Sequence, residues 1–135
     1  MKITINQLEQ KFNNLINMDF TEALTQSALL VENEAKKKAP VGSGELRRSI
    51  NHTVEDNSAS VGSNLEYAPY VEFGTGLFSS KGDGRKDVPW HYQDAKGEWH
   101  TTSGMMQQPY LYPALEESKD DIARIFINEI KGALK

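Results

Sequence analysis

Apolar residues recur at spacings of three and four near both ends of this chain, while the stretch between is broken by prolines, glycines and short polar residues. A 3.6-residue period gathers apolar side chains on one helix face, and such a face has to be covered by something. The arrangement therefore predicts helices near both ends of the chain, with a middle that is not helical in pattern.

Thr4 and Gln7 have the spacing of a capping box, which predicts a helix with Ile5, Leu8, Phe12, Leu15 and Ile16 on one face. Asn17-Met18-Asp19 interrupts it, and Asp19 with Glu22 predicts a new start. The second helix has a stripe of Phe20, Ala23, Leu24, Ser27, Leu30, Val31 and Ala35, with Glu32–Lys36 and Glu34–Lys38 as i,i+4 pairs, and Pro40 and Gly42 end it. A last helix carries Leu115, Ile122, Ile125, Phe126, Ile130 and Leu134 on one face and is expected to pack on the sheet.

The middle supplies the strands. Alternation of Ile50, His52 and Val54 predicts a strand over Ser49 to Glu55, turning at Asp56-Asn57-Ser58 and returning over Ala59 to Ser63. Tyr67 to Thr75 admits two readings: its aromatics and Val71 favour a strand, but Tyr67, Tyr70 and Val71 have helical spacing, and a short helix is preferred because Pro69 suits a first turn and Gly74 a left-handed cap after the end. From Gly74 to Gly104 the composition changes: six glycines at 74, 76, 82, 84, 97 and 104 accompany a polar run and predict a mobile excursion. Inside it, Trp90-His91-Tyr92-Gln93 and Glu98-Trp99-His100-Thr101 flank Asp94-Ala95-Lys96-Gly97, the pattern of a β-hairpin holding both tryptophans.

The chain has 135 residues, the size of one domain, and no repeat or linker divides 1–135. Fifteen Lys and Arg against nineteen Asp and Glu give a net charge of −4, which disfavours a broad phosphate-gripping surface. Lys36, Lys37 and Lys38, with Arg47 and Arg48, are the one basic cluster from which a nucleic-acid-binding accessory role could be argued. Three lysines in a last helical turn also complement the helix dipole. No cysteine occurs, so disulfides, thiolate nucleophiles and Cys-containing zinc sites are excluded. No segment approaches the roughly 20 apolar residues that cross a bilayer, so no membrane association is expected.

For chemistry, His91, His100, Asp94 and Glu98 lie close enough in sequence to raise a metal-dependent hydrolase, but no fixed ligand spacing accompanies them. Glu72 has no second carboxylate at a recognisable spacing, and Gly74-Thr75-Gly76 lacks the lysine of a phosphate loop. The expectation is a non-enzyme with no cofactor.

Three segments, in order, resemble one family. Ala39-Pro40-Val41-Gly42-Ser43-Gly44-Glu45-Leu46-Arg47-Arg48-Ser49-Ile50 resembles its "AP-x-x-TG-x-L-x-x-SI" segment, with Ser43 in place of the usual Thr. Tyr67-Ala68-Pro69-Tyr70-Val71-Glu72-Phe73-Gly74-Thr75 resembles its most distinctive run, and Gln108-Pro109-Tyr110-Leu111-Tyr112-Pro113-Ala114-Leu115 its approach to the last helix. The family is that of phage tail-completion or head–tail joining (neck) proteins of long-tailed phages and prophages. The resemblance implies an α+β structural subunit of the virion neck or upper tail, made in the host cytoplasm, with no catalytic residues. Its implied partners are head-closure, tail-terminator or tail-tube proteins and further copies of itself in a ring, with DNA passing nearby but not specifically bound. Tyr67, Tyr70, Glu72, Phe73, Gly74, Thr75, Pro109, Tyr110 and Pro113 are the motif residues, and Trp90 and Trp99 join them as candidate contacts. Tyr67, Tyr70 and Phe73 are expected mainly to pack the core, and Glu72 to cap or to make a polar contact between subunits.

Overall fold

The structure, a computed structural model, describes residues 5–80, 82, 84–94 and 96–134. The expected cap at Thr4 lies outside these residues. Helix α1 spans Ile5–Ile16 and α2 spans Thr21–Lys38. The cap position of α2 falls on Phe20, which makes no side-chain cap, and Asp19, expected to cap, stands one residue earlier, where its Oδ1 accepts the Thr21 N–H at 2.9 Å in a local turn. On α2 the residues Ala23, Ser27, Val31 and Ala35 are buried, as their spacing requires, whereas Phe20, Leu24 and Leu30 are only half-buried.

A short helix α3, Glu45–Ser49, follows and takes the first residue of the expected strand. At five residues it is too short to show a period. Strands β1 (Asn51–Glu55) and β2 (Ser58–Gly62) pair antiparallel with Asn51 opposite Gly62 and Glu55 opposite Ser58. Helix α4 spans Ala68–Phe73, a 3₁₀ turn spans Gly76–Phe78, and a separate antiparallel hairpin joins β3 (Trp90–Gln93) to β4 (Trp99–Thr102). Helix α5 spans Leu111–Ala133.

The expectation for α5 needs correction. It packs most extensively on α2 and also meets α1, and it is α2 that lies against β1 and β2. An apolar stripe demands a cover without specifying which element provides it. One ion pair also differs: Lys37 pairs with Glu34 at 3.1 Å, and Lys38 crosses to Glu117 of α5 at 2.7 Å, tying the two helices together. Glu32, buried, is met by Lys36 at 3.8 Å and by His52 Nδ1 of β1 at 3.3 Å.

The core runs from Val31, Ala35 and Ala39 through Leu46 and Ile50 to Ala68, Val71, Tyr110 and Ala114. Thus α2, α3, α4 and the start of α5 share one interior. Among the described residues no helix is long and apolar enough to cross a membrane.

Candidate functional site

Helix α4 begins with Pro69 in its first turn, where the missing N–H costs nothing, and ends before Gly74 at φ +79°. A Cβ at Gly74 would stand 2.6 Å from the Phe78 carbonyl oxygen and 2.9 Å from that of Met105, so the tight turn admits glycine alone without a shift. Six residues give this helix one inward face, and Ala68, Val71 and Glu72 occupy it. Tyr67 and Tyr70, three apart, lie on the other side and are exposed. The expectation that both tyrosines pack the core is therefore overturned; Phe73 is half-buried, with its ring 5.9 Å from that of Tyr112.

Glu72 is 2% exposed, and its carboxylate is surrounded by backbone donors. Oε2 accepts the N–H of Tyr110 at 2.6 Å and of Leu111 at 3.1 Å, while Oε1 accepts the N–H of Tyr112 at 2.8 Å. These N–H groups belong to the first turn of α5, which lack intrahelical acceptors, and the helix dipole favours a negative charge there. Tyr110, at the cap position, makes no side-chain cap of its own. A carboxylate from α4 thus performs the cap across 38 residues of chain. The Val71 carbonyl adds a bond from the Gln108 N–H at 2.8 Å.

Immediately afterward, the Thr75 N–H donates to the Met105 carbonyl at 2.9 Å and Thr75 Oγ1 accepts the Met105 N–H at 2.8 Å. Leu77 N–H donates to the Ser103 carbonyl at 3.0 Å. The base of the 74–104 excursion is thereby closed by backbone pairing. Above it, a cleft of about 490 Å³ is lined by Pro69, Tyr70, Phe73, Gly74, Arg85 and Trp90 among others. The Arg85 guanidinium lies 5.0 Å from the Trp90 ring centre, within cation–π range.

The anticipated residues therefore divide. Tyr70, Phe73, Gly74, Thr75 and Trp90 come together at the cleft, while Glu72 meets Tyr110 beneath it. Tyr110 is fully buried, so it is not a surface contact; burial, with the nearby Glu72 and Tyr67, pushes its phenol up to about 12. Pro113 is half-buried in the first turn of α5, and Pro109 is exposed. Trp99 is 70% exposed and stands apart on β4. Tyr67 donates to Glu45 Oε2 at 3.2 Å, linking α4 to α3, a contact that no spacing in the sequence announces.

At the hairpin tip, Asp94, Glu98 and His100 bring one ligand atom each within 4.8 Å of one another, whereas His91 Nδ1 pairs with Thr101 Oγ1 at 2.8 Å. Asp94 is engaged in holding the turn: Oδ1 accepts the N–H of Lys96 and Glu98, and Oδ2 lies 2.8 Å from His100 Nε2. The His100 bond, followed by that from the Glu98 N–H, holds the Asp94 carboxyl below the usual carboxylate range. Within the basic cluster Lys36, Lys37 and Lys38 each meet a carboxylate and Arg48 Nη1 reaches the Ser43 carbonyl at 3.4 Å, while the Arg47 Nε is buried without a hydrogen-bond partner.

A family model designated HK97-gp10-like, described as "Bacteriophage HK97-gp10, putative tail-component", is similar to residues 4–74. That span takes in the first motif segment and the second as far as Gly74, the turn glycine after α4. No curated protein matches, and no solved structure matches.

Proposed function

Because this chain belongs to the HK97-gp10-like family of bacteriophage tail components, we propose that it is a non-enzymatic structural protein acting at the head–tail junction or the head-proximal end of the tail. The observation that supports this most is the use made of Glu72. The buried carboxylate that could have served as an acid or base is spent on three backbone N–H groups, fixing the angle between α4 and α5. The same turn points Tyr67 and Tyr70 outward. Aromatic side chains on a rigid frame suit a docking face, since such anchors dominate interface energetics.

In this reading Tyr67, Tyr70, Pro109, Trp90 and Trp99 meet head-closure, tail-terminator or tail-tube proteins, while Glu72, Phe73, Gly74, Thr75, Tyr110 and Pro113 build the frame. Copies of the chain associate in a ring around the DNA channel. A net charge of −4 suits a wall past which DNA must slide, because a strongly basic wall would retain the phosphates. Gold labelling of a tagged copy in purified particles tests the placement. Label at the neck or upper tail is expected, and label confined to the tail tip or absent from particles overturns it.

A further inference from the structure

The β3–β4 hairpin gathers a group of side chains that the assembly role does not use. Tyr92 stands opposite His100 and Gln93 opposite Trp99, and the Asp94 N–H donates to the Glu98 carbonyl at 2.9 Å, which continues the pairing by one step. Side chains alternate between the two faces of a paired ribbon, and residues directly opposite one another share a face. Tyr92, Asp94, Glu98 and His100 therefore lie together, while His91 falls on the other face, against Thr101. Register, not spacing along the chain, sorts the two histidines.

Two of these groups are held in place by their neighbours. Asp94 Oδ1 accepts the N–H of Lys96 at 2.8 Å and of Glu98 at 2.9 Å, which leaves Oδ2 turned toward His100 Nε2 at 2.8 Å. The His100 ring stacks on Tyr92, with centroids 5.2 Å apart and planes 26° from parallel. Glu98 is exposed, and its carboxylate completes a set of three ligand atoms that all lie within 4.8 Å of one another. Around a tetrahedral zinc ion such atoms stand about 3.4 Å apart. A slight widening of the Asp94–His100 pair and rotation of the Glu98 side chain close the set to that spacing.

We infer that Asp94, Glu98 and His100 bind one divalent cation of the zinc class, and that this ion staples the tip of the hairpin. The donor chemistry selects the occupant. One imidazole nitrogen with two carboxylate oxygens suits zinc and its borderline neighbours, whereas magnesium and calcium take sets of oxygens alone, six or more of them. Zinc accepts three protein ligands with solvent in the fourth position. With 42% of the His100 side chain and 30% of the Asp94 side chain exposed, the ion enters directly from solvent. It takes the place of the proton that His100 Nε2 and Asp94 Oδ2 share, and it bridges the end of β3 to the start of β4. A two-stranded hairpin is marginally stable by itself, and among the described residues β3 and β4 have no third strand. A cation that binds only the closed turn shifts that balance toward order, and with it the placement of Trp90 and Trp99. The site is independent of the assembly role and asks no catalysis of the ion.

Isothermal titration of the untagged full chain with zinc chloride tests the site, with magnesium chloride run beside it. One zinc per chain and no magnesium are expected to bind. His100→Ala and Glu98→Gln are each expected to weaken zinc at least about tenfold, since even residues that only orient metal ligands contribute about 10–100-fold. His91→Ala and His52→Ala, which lie outside the group, are expected to leave the affinity unchanged. Glu98→Gln alters an exposed side chain by one atom, so the result stands even where His100→Ala disturbs the hairpin, and circular dichroism of each variant checks the fold. With zinc about a hundredfold above its dissociation constant, the hairpin amides are expected to exchange about a hundredfold more slowly while those of α2 do not change. Absence of saturable zinc binding, binding that both His100→Ala and Glu98→Gln leave intact, or equal binding of magnesium overturns the site. Zinc binding with hairpin exchange unchanged overturns the staple.

Discussion

The carboxylate of Glu72 receives the backbone N–H of Tyr110 at 2.6 Å, and through it two motif segments far apart in sequence become one rigid unit. Glu72→Ala leaves up to three buried or half-buried N–H groups without that acceptor. The expected loss of unfolding free energy is roughly 2–4 kcal/mol, with a smaller loss for Glu72→Gln, which keeps one acceptor oxygen. Urea unfolding checks it, and midpoints unchanged in both variants would show that the cap contributes nothing.

Gly74 makes a second prediction. Its φ of +79° and the backbone oxygens crowding its missing Cβ mean that Gly74→Ala costs more than about 1 kcal/mol. The same unfolding measurement reads it, and Gly42→Ala, where nothing stands within 4 Å of the added Cβ, serves as the comparison.

The two tryptophans should separate. Trp99 is exposed, so Trp99→Ala should change stability by no more than about 0.5 kcal/mol while lowering incorporation into particles. Trp90 is half-buried beside Arg85, so Trp90→Ala should cost more than this, though less than the roughly 3–5 kcal/mol of a fully buried Trp. Melting curves and complementation of a deletion, run on each variant, decide between frame and contact.

Hydrogen exchange gives a third kind of test. Thr75 and Leu77 amides, bonded to Met105 and Ser103, should be protected relative to the amides of residues 84–89 in the glycine-rich excursion. Uniform protection across 74–104 in a monomeric sample would contradict the mobility expected of the excursion.

Acid should act on the hairpin tip through Asp94. Its carboxyl is held below 3.8 by the His100 bond, so any stability it gives the turn is present above that value and is lost as pH falls through its lower folded pKa. Carbon-detected NMR titration should place the Asp94 midpoint below 3.8, and His100→Ala should move it upward. An unmoved midpoint in the variant would assign the depression to the backbone donors.

Short-range chemistry was legible in the residues and long-range pairing was not. Pro69 and Gly74 announce both ends of α4 because proline and glycine act on their own backbone. The outward turn of Tyr67 and Tyr70 was hidden, since a six-residue helix has room for one inward face and Ala68, Val71 and Glu72 fill it. The partner of Glu72 could not be read either: its acceptors serve backbone N–H groups, which every residue but proline carries. Likewise Lys38 has a neighbouring acid in its own helix, yet it pairs with Glu117, a choice made only once α2 and α5 are packed.

The central claim is that this protein completes the joint between head and tail. Deleting its gene from an inducible prophage and imaging the lysate tests that directly. The account predicts DNA-filled heads and tails that remain separate, or tails with defective upper ends, with infectious yield restored by the wild-type gene supplied in trans. Intact particles at normal yield from the deletion strain would contradict it.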